Sequence, residues 1–276
     1  MISIAQGSVY SPHCRACFQL PASPPLLKFN FIHFPKAAGT AFTIPLRRLL
    51  SCEPAGKGCW GDPAVVVNGN INCEGRFTGC YGHNGFAPDA NKMSIALFRH
   101  PVGRVRSAFH HDRHLDGGTT EEKTAVKQTT SLEEYIRFPG VRNCQTKMVL
   151  GYRCATRKRM DETQFVEAKR AVDSLDYIGI TEHYNTSVCL LFKQVGVLPV
   201  DSDFTTWRKS HAYNSEEIVP MTTQQTILNE DYYDAHLYAR ALAAFKDRVK
   251  AEGLVLLEPP SQYESLPLPA NPPDIV

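Results

Sequence analysis

Leu26-Leu27-Lys28-Phe29-Asn30-Phe31-Ile32-His33-Phe34-Pro35-Lys36-Ala37-Ala38-Gly39-Thr40-Ala41-Phe42 decides the fold. Its first nine residues form a short, mostly apolar run that Pro35 stops, which reads as a buried strand. A turn of small residues follows. From Thr40 to Leu50 the apolar residues recur at helical spacing, and Arg47-Arg48 place cations where the negative end of a helix dipole would lie. Small side chains in such a turn let backbone N–H groups converge on an anion, and the helix N-terminus adds its positive dipole. Lys36 adds a cationic head and Thr40 a hydroxyl. The order is not that of a Walker A loop, where Lys follows the glycines and Ser or Thr follows Lys.

The same grammar recurs downstream. Met93 to Phe98 reads as a second buried strand, Arg99 stands at its end, and Pro101 opens a helix running to about His114, with Ser107 two turns in. Arg can hold a phosphate bidentately and a Ser hydroxyl can complete its shell. Tyr177 to Thr181 reads as a third strand, and Val65-Val66-Val67 as a short one. Ser131 with Glu134 is a capping box for a helix ending near Phe138, and Asp161 caps another from Glu162 to Ser174. Asn143 to Leu150 and Tyr184 to Val195 read as helices. Asn229 caps a last helix reaching Lys250, and Val255 to Leu257 reads as a final strand. Alternating strands and helices predict an α/β fold with a mostly parallel central sheet flanked by helices, which binds ligands at the carboxyl ends of its strands.

Composition sets the limits. A chain of 276 residues that is 43% hydrophobic can bury a core, and a net charge of +2 leaves anion binding to local basic sites. No apolar run is long enough to span a membrane, and Met1 to Phe18 lack the order of a signal peptide. Prolines mark residues 1–25 and 258–276 as tails, leaving a single domain over 26–257.

Nine cysteines cannot all pair within one chain. Cys52/Cys59 and Cys73/Cys80 read either as loop staples in an oxidising compartment or as small buried hydrophobes. Cys14 and Cys17 have zinc-knuckle spacing beside His13, with no second pair to complete a site. Asn185-Thr186-Ser187 is a glycosylation sequon inside a predicted helix. His110, His111 and His114 read as a solvated helix face, with a metal site as the lesser alternative.

Lys-x-x-Gly-Thr after a first strand and Arg-x-Pro-Val-x-Arg-x-x-Ser after a later one resemble the sulfotransferases that use 3′-phosphoadenosine-5′-phosphosulfate. The resemblance is greatest to the carbohydrate type, the heparan sulfate 6-O- and 2-O-sulfotransferases, which act on a glycosaminoglycan. Arg142 to Leu150, Tyr177 to Tyr184, and Tyr232-Tyr233-Asp234 with Leu237-Tyr238 are weaker echoes. The resemblance implies a P-loop-like fold in which Lys36, Ala37, Ala38, Gly39, Thr40 and Ala41 hold the 5′-phosphosulfate while Arg99 and Ser107 hold the 3′-phosphate. His100 stands where the family usually has Asp, which puts the orientation of Arg99 in question. His83, in Cys80-Tyr81-Gly82-His83-Asn84-Gly85-Phe86, resembles the family's general base. Its other reading is a loop histidine bonded to backbone.

Arg208, Lys209 and Ser210, beside Trp207 and His211, could close over the nucleotide or be surface charge. Arg142, Gln145 and Lys147 could meet an anionic acceptor, or Gln145 could hydrogen-bond structurally. The resemblance further implies a glycan acceptor, no metal, no nucleic acid, and a Golgi membrane glycoprotein; with no signal or anchor visible, a cytoplasmic location is the alternative. A nucleotide-dependent kinase-like transferase and a non-catalytic binder of nucleotide or sulfated glycan are the competing readings.

Overall fold

The computed structural model describes residues 8–21, 27–49, 77–78, 85–204 and 219–272, without the side chains at positions 8, 40, 47, 77 and 78. The expected strand at Val65 to Val67 and the cysteines at 52, 59, 73 and 80 lie outside the described residues.

The chain is α/β, with a parallel sheet flanked by helices. Strands β3 (Phe29–Ile32), β4 (Phe77–Thr78), β5 (Met93–Phe98) and β6 (Tyr177–Ile180) lie in the order β4-β3-β5-β6, all parallel. Phe29 is in register with Met93, and Ile95 with Tyr177. All four residues of β6 and all but the first of β5 are buried, as expected of a parallel sheet covered on both faces. Helix α1 (Gly39–Leu49) lays Phe42 over Tyr177 with ring centroids 5.8 Å apart. Pro45 sits inside α1 without ending it.

Helix α2 (Pro101–His110) follows β5. Next come α3 (Thr120–Lys127), α4 (Leu132–Arg137), α5 (Cys144–Val149) and α6 (Glu162–Asp173). Ser131 and Asp161 cap α4 and α6 as the sequence predicts. Helix α7 (Tyr184–Gln194) follows β6, and α8 (Met221–Glu230) and α9 (Tyr232–Ala251) close the domain. Among the described residues no helix is long and apolar enough to cross a membrane.

Several expectations need correction. Residues 8–19 are not a loose tail: β1 (Ser8–Ser11) and β2 (Ala16–Gln19) form an antiparallel hairpin that buries Phe18, and Cys14 is bonded to Cys189 of α7. That bond removes Cys14 from any zinc knuckle. A second disulfide joins Cys144 to Cys154. The last helix does not run unbroken from Asn229. The chain breaks at Asp231, whose buried carboxylate bonds Arg104 at 2.8 Å. The C-terminal prolines also do not make a free tail. Glu258 accepts from Thr186 Oγ1 at 2.7 Å, and Glu264 meets His183 Nε2 at 2.7 Å. Val255 to Leu257 is not a strand. In the sequon, Ser187 is fully buried and donates to Ile180 O at 3.0 Å.

Candidate anion-binding site

The turn between β3 and α1 is the candidate anion cradle. Lys36 (φ 65°) and Ala38 (φ 55°) are both left-handed, on either side of Ala37. Alternation of this kind turns successive N–H groups to one side. A left-handed conformation costs a non-glycine residue roughly 1–2 kcal/mol, so the rest of the fold must hold it. Two bonds do so: Ala37 N–H donates to Phe34 O at 3.3 Å, and Thr181 Oγ1, beyond β6, donates to Ala37 O at 3.1 Å.

Gly39 and Ala41 stand in the first turn of α1, which carries no acidic residue to offset its positive dipole. Thr40 is there too, its hydroxyl outside the described residues. A Cβ at 39 would overlap the imidazole of His33, so any other residue there would have to displace that ring. His33 is a neighbour of the cradle that sequence reading passed over, although it stands three residues before Lys36.

The end of β5 meets this turn. Arg99 Nη1 donates to Lys36 O at 2.8 Å. The Arg99 backbone is gripped by Gln145: Arg99 N–H donates to Oε1 and Nε2 donates to Arg99 O, each at 2.9 Å. Gly103, on the first turn of α2, leaves room for the guanidinium, since a Cβ there would stand 3.2 Å from Arg99 Nε and 3.5 Å from Glu182 Oε1. Ser107, four residues on, shares that helix face and is nearly buried.

His100 resolves the question of its missing carboxylate. Its Nδ1 accepts from Val102 N–H at 3.3 Å and caps α2, the role an Asp would fill. Burial, aided by the nearby Arg99 charge, pushes the imidazole down to about 3 against the pull of Glu264, so it stays neutral. Tyr263, from the C-terminal segment, stacks on it with centroids 5.0 Å apart.

Two proposed acceptor contacts are turned inward. Gln145 is fully buried with both amide ends spent on Arg99. Lys147 is 2% exposed and donates to Pro139 O and Cys154 O; burial lowers its ammonium to about 8. Arg142 pairs with Glu230 at 3.1 Å and donates to Arg137 O. Gln145 and Lys147 are therefore not presented to an acceptor, whereas the Arg142 side chain is 33% exposed. His83, Arg208, Lys209, Ser210 and His211 lie outside the described residues.

The histidine trio is not one helix face, because α2 ends at His110 while His111 and His114 lie in the loop beyond, rings 5.9 Å apart. Among the described residues no three His, Cys, Asp or Glu side chains are grouped to hold a metal ion.

The structure therefore joins Lys36, the turn and Arg99 at adjacent strand ends, with Ser107 on the helix that follows. No model of a known family matches the chain, and no curated protein is similar to it.

Proposed function

We propose that the protein is a sulfotransferase that moves a sulfuryl group from 3′-phosphoadenosine-5′-phosphosulfate to a carbohydrate hydroxyl, on a P-loop-like fold. The observation that carries this reading is the bond from Arg99 Nη1 to Lys36 O, which couples two strand-end anion sites. The left-handed turn fits one phosphate group and the guanidinium fits a second. A nucleotide with phosphates at both ends of its ribose matches two such sites better than one with a single phosphate chain.

When bound, the phosphosulfate supplies an activated sulfuryl group. Lys36, with the N–H groups of Ala38 to Ala41, would hold the 5′-phosphosulfate and oppose the charge that builds on the leaving phosphate. Arg99 and Ser107 would hold the 3′-phosphate. Arg208, Lys209 and Ser210 would cover the nucleotide. His83 would accept the proton of the attacking hydroxyl on an imidazole nitrogen. The two disulfides suit an oxidising lumen such as the Golgi's.

The test is transfer of labelled sulfate from the donor to a panel of glycans and small hydroxyl compounds, with Lys36→Ala as control. Donor-dependent transfer that falls by ~10²–10³ in the variant is expected. Transfer to no acceptor, or an unaffected variant, contradicts the reading.

A further inference from the structure

Glu182 stands beside Arg99 and has no part in the reading above. It follows β6 in the short turn Thr181–His183 and is partly buried. Oε1 accepts from His100 N–H at 3.1 Å, and Oε2 accepts from Tyr238 O–H at 3.2 Å. The carboxylate and the guanidinium share the gap over Gly103. Burial raises the Glu182 carboxyl, while Arg99 beside it and the bonds from His100 and Tyr238 draw it back down. Other titratable groups near it include the neutral His100 ring, the Tyr238 hydroxyl, which burial and the Glu182 charge keep protonated, Tyr263, whose ring shares the gap over Gly103, and Glu264 beyond them.

An anion seated on Arg99 would meet the field of this carboxylate. Like charges in a partly desolvated site repel, so ionised Glu182 and a bound phosphate oppose each other. We propose that Glu182 is an affinity-setting residue that weakens phosphate binding at Arg99 and so lets the spent nucleotide leave. This rests on the reading of Arg99 as the 3′-phosphate contact. The donor and its spent form carry the same 3′-phosphate, so that end of the site must be strong enough to select the nucleotide and weak enough to release it. A purely structural role makes the opposite forecast. If Glu182 only held His100 and Tyr238 in place, any substitution would loosen Arg99 and weaken binding.

Glu182→Gln separates the two. It keeps an oxygen for His100 N–H and a polar partner for Tyr238 O–H, and it removes the charge. Calorimetric titration with adenosine 3′,5′-bisphosphate and with adenosine 5′-phosphate measures the effect. The native protein should prefer the bisphosphate. E182Q should bind the bisphosphate ~10-fold more tightly, a common size for coupling between neighbouring sites, with the 5′-phosphate unchanged. Tyr238→Phe removes one hydrogen bond that favours the charged carboxylate and should shift affinity the same way by less. A native preference for the bisphosphate with equal or weaker binding in E182Q overturns this role and leaves the functional reading standing. A native protein that does not distinguish the two nucleotides overturns both. Should E182Q fail to fold, unchanged or weaker bisphosphate binding in Y238F overturns the proposal.

Discussion

Asn143 and Asp234 cap each other's helices. Asn143 Oδ1 accepts from Tyr233 N–H at 3.0 Å and Asp234 N–H at 3.2 Å, at the start of α9. In return the Asp234 carboxylate accepts from Gln145 N–H at 3.0 Å, Thr146 N–H at 2.7 Å and Thr146 Oγ1 at 2.7 Å, at the start of α5. Helix starts leave orphan N–H groups, and here each side chain satisfies two of the other helix's. Arg104, whose guanidinium bonds Asp231 and lies 3.7 Å from Asp234, balances the buried acids. The result fixes α5, and with it the Gln145 amide that grips Arg99.

Asn143→Ala should therefore cost about 2–3 kcal/mol, since it leaves buried N–H groups of α9 unpaired and puts Ala at a left-handed position. Denaturant unfolding checks this. A loss below about 0.5 kcal/mol would mean the reciprocal caps contribute little.

Gly39→Ala should destabilise the protein by driving a methyl group into the His33 ring. The double variant with His33→Ala should recover part of the loss, with a coupling of about 1–3 kcal/mol in a double-mutant cycle. Strict additivity would show that the ring does not enforce glycine at this position.

His100 makes stability fall with acid. Its folded-state value near 3 lies below its ordinary 6.5, so the unfolded chain takes up a proton that the folded one refuses. This contribution is complete above pH 6.5 and is lost as pH falls from there toward 3, at up to ~1.4 kcal/mol per pH unit. His100→Asn keeps a capping side chain and should flatten the profile over that window. Parallel unfolding profiles for the two proteins would contradict a neutral, buried His100.

His83→Ala should leave nucleotide affinity nearly unchanged while turnover drops by ~10²–10⁴, the usual worth of a general base. Single-turnover kinetics beside nucleotide titration distinguish this from loss of binding. Normal turnover would place the base elsewhere, with His211 the next candidate.

Strands β3 and β5 and the turns that follow them are legible in sequence because their signals are local: an apolar run, then Pro35 or Pro101, then helical spacing. The left-handed Lys36 and Ala38 are not, because the bond that helps hold them comes from Thr181, 144 residues from Ala37. Gln145 and Lys147 look like surface groups in sequence. Their partners, the Arg99 backbone and the carbonyls of Pro139 and Cys154, appear only once the chain has folded back. The hairpin at Ser8 to Gln19 is hidden for the same reason, its bond to Cys189 spanning 175 residues. Helix α8 carries apolar side chains only at Met221, Ile227 and Leu228, too sparse for helical spacing to announce it ahead of Asn229.

Calorimetric titration of the native protein with adenosine 3′,5′-bisphosphate and, separately, with ATP tests the central claim most directly. The paired strand-end sites should bind the bisphosphate more tightly than ATP, and Arg99→Ala should remove most of that preference, because on the proposed reading the guanidinium meets the 3′-phosphate and not the 5′ end. Tighter binding of ATP, or a preference that survives Arg99→Ala, would contradict a donor site built from the Lys36 turn and Arg99.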